Sequence, residues 1–383
     1  IPYGRQTITD EDIQAVNDVL LGEYLTQGPK IAVLESAFAS YVGAKYAVAI
    51  SNGTAALHLC AMALDVKEGT RVITTPITFA ASANCVRYCG GDVWFADIDP
   101  ETFTLSLEKT RALLESKPKG FFSGIIPVDF AGLPVDLEAF RKLADEFGCW
   151  IIEDACHAPG GWFTNSAGER NLCGNGNYAD LAIFSFHPVK HIAAGEGGMI
   201  TTNDEALYKH LLRLRTHGIT RETDLLLENH GAWYYEMQEL GYNYRITDFQ
   251  AALALSQLNR ADAGLKRRQE IANRYTEAFT KAGIAVPFVQ DGAQHAWHLY
   301  VIRIDNRKAL YDQLRTKNIF CQVHYIPVHT MPYYKQFGWK KGDFPLSEDY
   351  YDKCLSLPMY PALNNEQQDY VIQCVLMILN QSN

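Results

Sequence analysis

The sequence predicts an α/β fold on a mostly parallel sheet, followed by a smaller α+β unit. Short β-rich apolar runs alternate with helical patterns from about residue 30 to 205, and such alternation builds a parallel sheet with helices on both faces. After about residue 245 the texture changes to long helices and a tyrosine-rich tail. The 383 residues, 48% hydrophobic and 20% charged, suffice for a large core in two domains. We place the large domain at residues 1–250 and the small one at 251–383.

The elements follow in order. "IAVLESAFASYVG" sets Ile31, Leu34, Phe38 and Tyr41 on one helical face, with Gly43 suited to the position past the helix end. Strands are expected at "YAVAI" (46–50), "RVITT" (71–75), "VWFADI" (93–98), "GIIPVDF" (124–130), "WIIEDA" (150–155), "AIFSF" (182–186) and "GMITT" (198–202). In "DLEAFRKLADEF", Asp136 caps a helix whose buried stripe is Leu137, Phe140, Leu143, Ala144 and Phe147. "TDFQAALALSQL" opens with a capping box of Thr247 and Gln250. A long helix carrying Ile271, Tyr275 and Phe279 on one face follows, then "LYVIRI" (299–304).

Bulk properties narrow the function. A formal net charge of −10 argues against nucleic acid or an anionic membrane as the main partner. No apolar run reaches 18 residues, and "IPYGRQTITDEDI" has neither the basic flank nor the apolar stretch of a secretory leader. Nine scattered cysteines without a CxxC pair suggest reduced thiols in a cytoplasm.

In such sheets ligands sit at the carboxyl ends of strands, so the residues there matter most. After the first strand, Gly53 permits a tight turn and Thr54 begins a helix, a natural phosphate cradle. After the second, Phe79 can lie as a plate over a ring. Glu153 and Asp154 end a buried apolar strand, a costly place for carboxylates without a partner, and His157 lies three residues on. "FSFHPVK" adds the hydroxyl of Ser185 and the amine of Lys190. Each feature alone has an ordinary structural reading: a capped helix, a core aromatic, a carboxylate held by backbone N–H groups, a surface lysine. Together they match one cofactor, pyridoxal 5′-phosphate. It needs a phosphate cradle, a plate on its ring, a carboxylate that keeps its pyridine nitrogen protonated and a lysine for its aldehyde.

Two patterns point elsewhere and lack their context. "GNGNYA" (174–179) fits a dinucleotide fingerprint, but no strand is expected before it and a strand, not a helix, after it. His187 and His191 lie four apart near Glu196, but Pro188 opposes a regular helix there, so no metal site is expected.

The run "LTQGP…SNGTAAL…TTPITFAASAN…IIEDACHAPG…FSFHPVK…GEGG…GYNYRITDFQAALALSQL" resembles the DegT/DnrJ/EryC1/StrS family of sugar aminotransferases over essentially the whole chain. The resemblance implies a fold-type I pyridoxal-phosphate enzyme and a homodimer with shared active sites. It implies Lys190 as the cofactor-bonding lysine and proton shuttle, Asp154 on the pyridine nitrogen and Phe79 on the ring. Gly53, Thr54 and Ser185 would hold the phosphate, joined by Asn243 from the neighbouring subunit. His157 would lie beside the phenolic oxygen, where many members carry glutamine. By the same analogy the N-terminal segment 1–28, the "LTQG" turn and the C-terminal domain supply substrate contacts: Tyr3, Thr26, Gln27, Arg245, His324 and Tyr325. Arg213 and Arg215 are further candidates for a diphosphate, with helix-surface solvation the competing reading.

Within the family, "FSFHPVK", "GYNYR" and "QVHYIPVHTMPYY" look closest to the branch of pseudaminic acid synthesis. That branch moves the amine of L-glutamate, which leaves as 2-oxoglutarate, to C4 of a UDP-linked 4-keto-6-deoxy-N-acetylhexosamine. Sister enzymes acting at C3, or on GDP or dTDP sugars, differ only in substrate loops. A sugar dehydratase of the family would carry histidine at the position of Lys190.

Overall fold

Periodicity and caps set the helices. Gly43 ends the helix 29–42 with φ 79°, and Asp136 Oδ1 accepts from the Ala139 N–H at 3.0 Å. Thr247 and Gln250 form the expected reciprocal box. The computed structural model describes residues 1–381. Its helices are α1 (Asp10–Leu20), α2 (Pro29–Val42), α3 (Gly53–Ala63), α4 (Ala81–Tyr88), α5 (Leu107–Glu115), α6 (Leu137–Phe147), α7 (Glu205–Leu214), α8 (Asp248–Leu258), α9 (Ala261–Lys281), α10 (Arg307–Thr316), α11 (Pro332–Lys335), α12 (Pro345–Lys353) and α13 (Asn365–Gln381). The main strands are β1 (Tyr46–Ile50), β2 (Arg71–Thr74), β3 (Asp92–Phe95), β4 (Gly124–Ile126) and β5 (Trp150–Asp154). The short β6 (Trp162–Thr164) and β7 (Arg170–Leu172) precede β8 (Leu181–Ser185) and β9 (Gly198–Thr202).

The seven-stranded central sheet has the order β1-β9-β8-β5-β4-β2-β3. Only β9 runs against its neighbours. A parallel return needs a crossover of a dozen or more residues, usually helical. No helix lies between β8 and β9, so the chain doubles back. Strand β4 stops at Ile126 rather than 130 because Pro127 has no N–H for the ladder. The α3 and α4 face packs on Val48, Ile50, Ile152 and Ile183, while α6 covers Ile73, Ile125 and Ile151. A third cluster, Ile31 to Leu265, joins α2 and α8 to the start of α9. A separate one joins Ile271, Tyr275 and Phe279 of α9 to α10, α13 and the paired strands Tyr300–Arg303 and Cys354–Leu357. Among the described residues no helix is long and apolar enough to cross a membrane.

Candidate active site

The carboxyl ends of β1, β2, β5 and β8 open on one cavity of about 690 Å³. Ten of the fourteen residues singled out as site candidates line it: Gly53, Thr54, Phe79, Asp154, His157, Ser185, Lys190, Tyr3, His324 and Tyr325. Four do not. Thr26 and Gln27 are exposed in a turn held by Asp248, which accepts from the Gly28 and Lys30 N–H groups at 2.7 and 3.0 Å. Asn243 is exposed nearby, and Arg245 is half-buried.

At one end, α3 presents its first N–H groups to the cavity, and Asn52 Oδ1 caps the helix through the Ala55 N–H at 2.8 Å. A Cβ at Gly53 would stand 3.0 Å from Ser185 Cβ, so glycine suits this close approach of helix and strand. Ser185, Tyr88, His58 and Tyr244 complete this end, with His58 Nδ1 3.2 Å from Tyr244 Oη.

In the middle, Asp154 is fixed from both oxygens. Ser82 Oγ donates to Oδ2 at 2.6 Å and the Cys156 N–H to Oδ1 at 3.2 Å. With its proton committed to Asp154, Ser82 must accept from Thr78 Oγ1, 2.7 Å away. Glu153 points to the other face, where the Gly174 N–H donates to both its oxygens at 3.0 Å. Burial, reinforced by neighbouring Asp129, pushes its carboxyl well above the usual range. This is what "GNGNYA" does. A short strand, β7, does precede it, but the loop leads into β8 rather than a helix. Gly174, at φ 78°, leaves no room for a Cβ beneath the Phe184 ring.

Lys190 lies half-buried on the cavity wall, and its ammonium makes no hydrogen bond or ion pair among the described residues. Burial holds its basicity down, Cys156 and Asp154 work against that shift, and Arg268 adds to it. Phe79 is 61% exposed although it faces the cavity. A flat apolar ring left this open is a surface waiting for another ring. His157 Nδ1 accepts from the Ala131 N–H at 3.2 Å, so the neutral ring carries its proton on Nε2. That proton points at Tyr325 Oη, 3.2 Å away. Burial first, then the charge of Lys190, holds His157 neutral. His324 is pushed down to about 3 by burial, and its Nδ1 lies 2.8 Å from Ser356 Oγ. Tyr3 packs on the His324 ring at 5.2 Å.

Other polar features are satisfied elsewhere. Arg213 pairs with Glu239 at 3.2 Å and Arg215 with Glu35 at 2.6 Å. His187 is exposed, whereas His191 turns inward to the Ala296 carbonyl at 2.8 Å. Sequence reasoning missed Ser82, Thr78, Tyr244 and His298, all of which line the cavity. For Ser82 a signal existed: it stands three residues after Phe79 in the same run that follows β2.

The donor set fits pyridoxal 5′-phosphate. An unpartnered amine, an anchored carboxylate, an open aromatic face and a helix start flanked by hydroxyls share one cavity. Fold and site together define an enzyme that works through this cofactor.

Comparison with known proteins agrees. The family model of the DegT/DnrJ/EryC1/StrS aminotransferases matches residues 6–376. The chain is 40% identical to the spore coat polysaccharide biosynthesis protein SpsC of Bacillus subtilis, over 98% of this chain and 96% of that one. Among solved structures, Helicobacter pylori PseC, an aminotransferase of pseudaminic acid biosynthesis, superposes with a TM-score of 0.88 at 28% identity, covering 99% of both chains. The putative sugar aminotransferase Spr1654 of Streptococcus pneumoniae, in its PMP-form, gives 0.91 at 27% identity over 100% of both. The chain therefore belongs to the DegT/DnrJ/EryC1/StrS aminotransferase family.

Proposed function

We propose that this aminotransferase moves the amino group of L-glutamate to C4 of a UDP-linked 4-keto-6-deoxy-N-acetylhexosamine. The product is UDP-4-amino-4,6-dideoxy-N-acetyl-β-L-altrosamine, in pseudaminic acid biosynthesis. The observation that carries the reaction class is the unpartnered Lys190 amine in one cavity with the doubly anchored Asp154. The likeness to PseC and the histidine at 157 support the substrate. Bound here, pyridoxal phosphate supplies an aldehyde for the travelling amine and a cationic ring that draws electrons from the substrate carbon. The chain's own residues do the rest. Asp154, held by Ser82 and the Cys156 N–H, fixes a proton on the pyridine nitrogen. Phe79 covers one ring face, and the α3 N–H groups, Thr54 and Ser185 hold the phosphate. His157, whose Nε2 proton faces Tyr325, would lie beside the phenolic oxygen, and Lys190, with its lowered basicity, would take a proton from the substrate carbon and return it. Tyr3, His324 and Tyr325 flank the place of the sugar.

We further propose a homodimer in a reducing cytoplasm. Leu21, Leu227, Trp233 and Leu240 are 87%, 89%, 73% and 73% exposed, apolar side chains that a second copy would cover. Exposed Asn243 would then reach the phosphate of the partner's site, and Thr26, Gln27 and Arg245 its substrate. None of the nine cysteines is paired. The test is turnover with L-glutamate and a panel of UDP-, dTDP- and GDP-linked keto sugars, the products identified by NMR. The 4-amino UDP sugar is expected. Turnover of a dTDP-3-keto sugar alone would overturn the substrate assignment and leave the reaction class standing.

A further inference from the structure

Behind Lys190, on the side away from Asp154, lies a second cavity of about 260 Å³. The N-terminal strap, α8, α9 and residues 361–362 enclose it, and Lys190 lines both spaces. Its walls are strongly cationic. Arg260 is compensated by Asp12, and Arg267 pairs with Glu270 at 3.0 Å. Arg5 and Arg268 have no counter-ion among the described residues. Arg268 is only 2% exposed. Its Nη1 donates to the carbonyls of Trp297, Met359 and His298 at 3.0, 3.1 and 3.4 Å, while the buried Nε finds no acceptor among the described residues. A buried, uncompensated guanidinium is expensive unless something anionic meets it. His191 supplies the opposite need. Its Nε2 donates to the Ala296 carbonyl, so Nδ1 is a bare acceptor, buried and without a partner among the described residues.

We propose that this cavity binds one tetrahedral oxyanion that carries a hydroxyl, the chemistry of hydrogen phosphate. Its charged oxygens would meet Arg268 and Arg5, and its hydroxyl would donate to His191 Nδ1. Two guanidinium groups without a counter-ion among the described residues match a dianion. The site also has a consequence for the reaction. Arg268 bears on Lys190 through space and lowers its basicity. An oxyanion on Arg268 cancels that field and makes Lys190 more basic.

The test uses the holoenzyme, in which the cofactor already fills its own phosphate cradle. Thermal unfolding is followed against sodium phosphate, sulfate and chloride at matched ionic strength. Phosphate is expected to raise Tm saturably. Sulfate, which has no hydroxyl for His191, is expected to need about tenfold more. Gly264 lies in α9 on the cavity wall, where an added Cβ would meet only Pro361 Cγ, at 3.6 Å. Gly264→Leu therefore fills the space and is expected to abolish the saturable rise. Arg5→Ala, on the exposed strap, weakens phosphate by about tenfold and decides the matter if the leucine variant does not fold. In the wild type, phosphate also moves the pH midpoint of the near-visible cofactor band upward. A response to phosphate no different from chloride, or a Gly264→Leu enzyme that responds like the wild type, overturns the proposal. UDP binding that survives Gly264→Leu supports a site for the free ion, and its loss would reassign the cavity to the diphosphate of a nucleotide.

Discussion

Removing the Lys190 ammonium should destroy the reaction and strengthen the fold. The perturbation is Lys190→Met, which keeps the length and apolar stem and deletes the charge. In the cofactor-free protein this amine lies half-buried on the cavity wall, makes no hydrogen bond among the described residues, and has its basicity held down chiefly by burial. An unsatisfied buried polar group costs about 1–3 kcal/mol. Because Lys190 is only half-buried, the lower part of that range applies, about 1–2 kcal/mol. For a chain of this length that is a Tm rise of about 1–3 °C. The sign also shows in the pH dependence. A lysine whose folded value lies below its unfolded one, about 10.4, binds its proton more weakly in the folded state. The unfolded chain holds more protons in the window just below 10.4, so wild-type stability climbs with pH there. Lys190→Met should lack that climb. The assay is calorimetry of cofactor-free protein between about pH 7 and 10, paired with turnover of the reconstituted enzyme. A variant that unfolds earlier than wild type at neutral pH, or that still turns over, refutes the reasoning.

His157 titrates far below its ordinary value because it is buried beside Lys190, so it stays neutral across the working range. His157→Gln, which still offers an N–H, should lower kcat/KM yet leave its pH profile unchanged in shape between about pH 6 and 8; an acidic limb near 6.5 present only in the wild type would count against a neutral ring. Mixing Lys190→Met with Asn243→Ala subunits should restore activity that neither parent has, since one site of the mixed dimer regains both groups. No recovery after verified subunit exchange would place Asn243 outside the partner's site.

Much of the site was legible because strand ends and helix starts converge in this fold. Gly53, Phe79, Asp154, Ser185 and Lys190 sit at the ends of β1, β2, β5 and β8 or just beyond, so locating the strands located the cavity. What escaped depends on contacts between distant segments. The partner of Glu153 is a backbone N–H twenty-one residues on, in a loop whose glycines suggested a different ligand. Arg268 stands in "KRRQE", a run that looks like a solvated helix face. It is buried because carbonyls from residues 297, 298 and 359 close over it, and no local pattern announces them. The orientation of β9 follows from a missing helix between two strands, which alternation alone does not weigh.

The arrangement around Lys190 has its own logic. His157, His191, His298 and His324 surround the lysine, and each is held neutral by burial first and by the lysine's charge among the lesser causes. Four imidazoles so held can donate and accept hydrogen bonds without adding charge. Two fixed charges then act on the amine from opposite sides: Asp154 in the cofactor cavity raises its basicity, and Arg268 behind it lowers it. A proton shuttle works best when its affinity lies near the working pH. Burial is thus the main cause of the lowered basicity of Lys190, Cys156 and Asp154 oppose it and Arg268 adds to it, so a change in any of these charges shifts the amine.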